Sequence, residues 1–194
     1  MTLMATHVAL LRGINVGGRN KVAMADLREV VTGLGHADVS TYIQSGNVLF
    51  SAEDGDADTT ALAAALAKAI TAALGVSAPV VVLSSGELAT VLAANPFPAE
   101  PDPRRVHAVL LSGAPGADAT AKIDEALARS TAKGARDELA IAGRTLYLHT
   151  PDGFGNSELA AAVLRIVTSP RAGVTGTARN WATMTKLLDL CGAR

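Results

Sequence analysis

A short run near the start of the chain, Arg12-Gly13-Ile14-Asn15-Val16-Gly17-Gly18-Arg19-Asn20-Lys21, gathers the residue types that hold an anion. Its glycines can adopt positive φ and let another group approach the backbone closely. Successive N–H groups of such a loop, with a helix N-terminus behind them, form a concavity that suits negative charge. Arg12 and Lys21 would pin the anion, Asn15 would donate from its amide, and Gly17 and Gly18 would offer backbone N–H groups. No Asp or Glu precedes Asp26, so nothing nearby opposes negative charge. The run matches neither G-x-x-x-x-G-K-[ST] nor G-x-G-x-x-G, so it points to an anion without naming a nucleotide.

Two more stretches carry polar groups at positions of interest. In Thr41-Tyr42-Ile43-Gln44-Ser45-Gly46-Asn47, the groups of Gln44, Ser45 and Asn47 would cluster at a hairpin tip, although turn formers need no further role. In Thr177-Ala178-Arg179-Asn180-Trp181, Asn180 would cap the last helix and leave Arg179 beside its positive end, an arrangement suited to a carboxylate or phosphate. Trp181 spaces with Met184 and Leu188 as a core residue would, and Lys186 reads as a solvated charge. Every charge from residue 1 to 25 is positive, as is every charge from 159 to 188. If the two ends meet, Arg12, Lys21 and Arg179 would face one concave surface on a chain whose net charge is only −1.

Other chemistries find little footing. His7, His36, His107 and His149 are far apart, and none sits in an H-x-x-x-H or H-x-E pattern, so no metal site is expected. The single cysteine, Cys191, lies among Leu187, Leu188 and Leu190 and reads as inert; it excludes an internal disulfide. No G-x-S-x-G elbow is present. Near-neutral charge argues against wholesale electrostatic binding to nucleic acid or anionic membrane. No apolar run reaches the roughly 18 residues that a membrane span needs, and no leader-like pattern opens the chain. A cytoplasmic protein without cofactor is the expectation.

These residues must be positioned by a core. A chain of 194 residues, 49% hydrophobic but only 3% aromatic, builds it from Leu, Val, Ile and Ala. His7 to Leu11 reads as a strand, Leu27, Val30, Val31 and Leu34 as a helix closed by Gly35, and Val39 to Gln44 with Val48 to Phe50 as a hairpin. The acidic linker Glu53, Asp54, Asp56 and Asp58 leads to a helix with Leu62, Leu66, Ile70 and Leu74 in one stripe, capped by Asp58 or Thr59, and then to a strand at Pro79 to Leu83. Ser84 and Glu87 form a capping box, and Asn95 to Pro103 a linker. Val106 to Leu111, a helix capped by Asp118, the hairpin Glu138 to Ile141 with Thr145 to His149, a helix capped by Ser157, a strand at Val174 to Ala178 and a helix from Trp181 to Leu190 complete the order. The class is therefore α+β, with two ferredoxin-like βαββαβ halves and an added C-terminal helix. Residues 1–84 would form the first half and residues 85–194 the second, packed together as one compact unit. Element order carries this reading, since no residue-level repeat stands out.

The runs LLRGINVGGRNKVAM, TYIQSGNVLF, NPFP, LYLHTPDGFGNSEL and TARNWATMTKLLDL, in this order, closely resemble the bacterial family catalogued as domain of unknown function 1697. The resemblance runs from about His7 to Leu190. It implies an α+β protein with ferredoxin-like elements, mostly a stand-alone cytoplasmic chain, and it implies no activity. The residues it singles out are Arg12, Gly13, Asn15, Gly17, Gly18, Lys21, Gln44, Ser45, Gly46, Asn47, Arg179, Asn180 and Trp181. Two functions are consistent with them. One is binding of a phosphorylated ligand, a nucleotide or the phosphate of a nucleic acid such as RNA, at the cationic loop. The other is metal-independent phosphoryl hydrolysis on the logic of acylphosphatase, with Arg12 holding the phosphoryl group and Asn47 orienting water. Tyr42, Phe50 and Tyr147 make a poor platform for stacked bases, so contact with RNA would be led by phosphate.

Overall fold

The computed structural model describes residues 5–53 and 57–192; Asp54 and Asp56 of the acidic linker lie outside the described residues. Among these are six α-helices and two four-stranded antiparallel sheets, which make the chain an α+β protein. It divides into two units, Met1–Thr90 with Thr185–Arg194, and Val91–Met184.

The first unit runs β1 (His7–Leu11), α1 (Met24–Gly33), β2 (Ala37–Tyr42), β3 (Asn47–Ser51), α2 (Thr59–Leu74) and β4 (Val80–Ser84), and continues into α3 (Ser85–Ala93). Its sheet has the order β2-β3-β1-β4, with Val8 opposite Leu49 on one side and Leu83 on the other. Strand pleat sends alternate side chains to opposite faces. Ala9, Leu11, Val48, Phe50, Val80 and Val82 thus join Leu27 and Val31 of α1 and Leu66 and Ile70 of α2 in one core. The four-residue spacing in α2 leaves Leu62 and Leu74 at the margin of that core. Asp58, not Thr59, caps α2 by accepting from Thr60 N at 2.8 Å. The capping box forms in both directions, Glu87 N donating to Ser84 Oγ and Ser84 N to Glu87 Oε2.

The second unit runs β5 (Val106–Leu111), α4 (Ala117–Ala132), β6 (Glu138–Ala142), β7 (Thr145–His149), α5 (Glu158–Val167) and β8 (Gly176–Asn180), and continues into α6 (Trp181–Leu190). Its sheet has the order β6-β7-β5-β8. Val109, Leu111, Leu146 and Leu148 pack with Ile123 and Ala126 of α4 and with Leu159, Val163 and Val167 of α5. Ser157 caps α5 through a bond from Ala160 N.

Three local expectations are corrected. Strand β2 stops at Tyr42, because Ile43 turns left-handed with φ +50°, and it starts at Ala37, with a register shift where Asp38 has φ +52°. Strand β8 lies two residues later than the apolar residues suggest, after a 3₁₀ turn at Pro170–Ala172 and Gly173 at φ +66°. Helix α4 begins at Ala117 with Gly116 at its N-cap and no side-chain cap; Asp118 instead accepts from Lys122 Nζ at 2.7 Å.

The equal strand orders also reveal a repeat. With β1 set against β5, His7-x-x-Leu10-Leu11-x-Gly13 matches His107-x-x-Leu110-Leu111-x-Gly113. Leu11 N donates to Gly46 O at 2.8 Å and Leu111 N to Arg144 O at 2.9 Å, the same bond in each sheet. Arg12 N to Pro79 O and Ser112 N to Thr175 O repeat in the same way.

Candidate anion-binding loop

The connection from β1 to α1, residues 12–23, folds back on itself as a small closed loop. Val16 and Arg19 form a bridge, with Arg19 N donating to Val16 O at 3.1 Å. Gly17 and Gly18 between them have φ +58° and +75°, the two positive values that a tight mirror-image turn requires. Asn20 and Asn15 are left-handed too, at φ +49° and +54°. Their side chains tie the base of the loop: Asn20 Nδ2 donates to Gly13 O, and Asn15 Nδ2 to Val22 O at 2.9 Å and Gln44 O at 3.0 Å. Asn15 Oδ1 accepts from Val22 N at 2.9 Å. Both amide hydrogens of Asn15 therefore serve the loop, so its part is to position Gly17 and Gly18 rather than to touch an anion. Asn20 shares that work; its asparagine in a tight glycine turn is the signal that would have found it.

At the tip of the loop, Gly17, Gly18, Arg19 and Lys21 are all exposed, and a side chain added at either glycine would meet no heavy atom within 4 Å. Arg12 at the base is half-buried, and that burial draws its guanidinium below the ordinary arginine value. Ile14 is buried and anchors the loop from beneath.

The hairpin tip meets this loop. Gln44 is exposed and gives its carbonyl to Asn15, and Gly46 O accepts from Leu11. Asn47 is fully buried, its amide donating to Tyr42 O and Ser45 Oγ, each at 3.0 Å. Two exposed apolar side chains, Val16 at 65% and Ile43 at 50%, stand at the loop and at the hairpin tip. Ile43 is β-branched in the left-handed region, a conformation that costs of order 1–3 kcal/mol and persists only where surrounding structure imposes it. Ile14, Gly46 and Ile43 were not singled out by charge or amide chemistry because they act through packing and backbone angle.

Arg179, Asn180 and Trp181 belong to the second unit. Arg179 is 9% exposed, donates to Thr177 Oγ1 and Ala178 O, and is lowered by burial to about 10. Asn180 caps α6 as the sequence suggests, accepting from Thr183 N at 2.8 Å. Trp181 is half-buried with its ring tilted against Tyr147, and Lys186 is exposed. Cys191 is buried, which pushes its thiol up to about 11. Among the described residues no cluster of three or more His, Cys, Asp or Glu could hold a metal ion, and no helix is long and apolar enough to cross a membrane.

Sheet order and loop together define an α+β protein with a glycine-rich, cation-bearing connection after its first strand. The chain belongs to the family described as Protein of unknown function (DUF1697), whose family model matches residues 4–147. It is similar to the conserved bacterial protein SP0830 from Streptococcus pneumoniae, a solved structure 26% identical in sequence. That match covers 97% of this chain and 99% of the other, with a TM-score of 0.67. No curated protein matches the chain.

Proposed function

We propose that the protein binds a phosphorylated ligand, a nucleotide or RNA phosphate, at the loop of residues 12–23. The observation that carries this reading is a comparison within the chain. In the second sheet the same strand-to-helix connection is made by residues 112–116 alone, with Ser112 where the first has Arg12. The extra length of the first connection is therefore not needed to join strand to helix. It holds left-handed asparagines, two open glycines and the cations Arg19 and Lys21, and long connections of this kind in compact domains usually carry function. Phosphoryl hydrolysis finds less support, because the Asn47 amide that would orient water is buried and already bonded twice.

The same reading takes each half as a ferredoxin-like layer. Its support is the order β1-α1-β2-β3-α2-β4 with sheet order β2-β3-β1-β4, and the same arrangement in β5 to β8. A cytoplasmic location is supported by the single, buried cysteine.

The test is a thermal-shift screen of the purified chain against nucleotides and RNA, in wild type and Arg12→Ala. A charge-assisted contact from Arg12 contributes roughly 1.5–3 kcal/mol, so the variant should lose the ligand-induced rise in melting temperature while melting close to wild type when unliganded. A sharply lower melting temperature for Arg12→Ala, with no ligand protecting the wild type, would make Arg12 a scaffold residue and end the reading.

A further inference from the structure

A second cationic cleft lies wholly within Val91–Met184. Lys122 and Arg129 of α4, Arg165 of α5 and Arg171 of the 3₁₀ turn line a cleft of about 320 Å³, walled also by Ala162 and Ile166. Its size is within the range of sites for small molecules. One carboxylate, Asp118, lines it and is bonded to Lys122. Arg129 lies 3.7 Å from Glu125 on its own helix. The side chains of Arg165 and Arg171 make no ion pair and no hydrogen bond among the described residues. Four cations thus line a cleft that holds one carboxylate, with a second, Glu125, beside Arg129, and the uncapped first turn of α4, which borders the cleft at Asp118 and Ala119, adds the positive end of a helix. Like charges held together without counter-charge repel one another, and a bound polyanion removes that repulsion.

We propose that this cleft binds a small ligand carrying two or more phosphate groups. Two guanidinium forks without partners match two phosphates better than one. None of the residues lining the cleft is aromatic, so it offers no surface on which the bases of a nucleic-acid strand would stack. The apolar wall of Ala162 and Ile166 suits a compact organic body instead. The proposal draws only on residues of the second unit and does not rest on the loop of residues 12–23.

The test is a titration of the ¹⁵N-labelled full chain with inorganic pyrophosphate and, separately, with inorganic phosphate, following the backbone amides. Ala119, Ile166 and Ala172 should shift saturably, with pyrophosphate bound about tenfold tighter than phosphate. Both arginines are exposed, so the double variant R165A/R171A should keep the wild-type melting temperature and lose about tenfold or more in pyrophosphate affinity. If that variant melts early, R165Q alone supplies the comparison and should show the same direction of loss. Equal affinity for the two anions, wild-type binding by the variants, or displacement of pyrophosphate by a single-stranded RNA oligonucleotide that binds more tightly would each overturn the proposal. The amides of Gly17 and Gly18 report the loop in the same spectra, so failure of one site is read separately from failure of the other.

Discussion

At Gly46 the backbone has φ +79°, and a methyl group built there would come within 2.8 Å of Leu11 Cβ and 2.9 Å of Ile14 Cδ1. These are the last residue of β1 and the buried anchor of the loop, so Gly46 sets how closely the hairpin tip approaches the loop base. Gly46→Ala adds left-handed strain to a steric clash with packed neighbours, and is expected to destabilise by about 2–4 kcal/mol in a urea titration. Gly17→Ala meets open space and has only the strain of φ +58°, so it should cost about 1–2 kcal/mol. Equal losses at the two glycines would mean that the hairpin tip does not fix the loop. Residue types alone announced that this region is special, since glycine, asparagine and arginine cluster there. They could not assign the parts. Asn15 has the amide an anion site wants, yet two backbone carbonyls take both of its hydrogens.

Between β6, β7 and the linker, one histidine joins three elements. His149 Nε2 lies 2.7 Å from Glu100 Oε2 and its Nδ1 lies 2.9 Å from Glu138 Oε1, while Phe97 packs its ring 5.4 Å away. Both carboxylates accept, so the imidazole makes both bonds only when protonated. Burial favours the neutral ring, but the hydrogen bonds and charges of Glu138 and Glu100 outweigh it and raise the His149 pKa above 6.5. A group raised on folding stabilises fully below its unfolded value and loses that contribution as pH rises through its folded value. Glu100 is lowered, first by the hydrogen bond from the Asp102 backbone and then by His149, so its contribution fades only in acid, below its unfolded value of 4.5. His7, His36 and His107 are all lowered by burial and titrate below that of His149. Those three bind protons more readily in the unfolded chain and oppose His149 just above pH 6.5, so the difference between proteins is the readout: as pH rises from 6.5 to 8 the melting temperature of the wild type should fall relative to that of H149Q, and a constant difference would refute the bridge. Elements were legible wherever the chain alternates short apolar runs with turn formers, as in β1, β4 and β5. Their ends were not, because Ile43, Asp38 and Gly173 take left-handed angles that residue type alone does not force.

Across the molecule, the same strand order and the same hydrogen bonds at the end of the first strand occur in both sheets, yet the two halves share few residues. Only His, Leu and Leu coincide along β1 and β5, because a buried strand accepts any apolar residue that fills its volume, and the loops that follow share only Gly13 and Gly113. That difference is the centre of this account: one copy joins its first strand to its first helix with residues 112–116, the other with the cationic residues 12–23. The most direct measurement is a titration of the ¹⁵N-labelled chain with a nucleoside triphosphate, read at the amides of Gly17 and Gly18 in wild type and Arg12→Ala. The account predicts saturable shifts at both glycines, with affinity weakened about tenfold or more in the variant. Glycine amides that stay in place while the ligand is added, or that shift equally in both proteins, would contradict it.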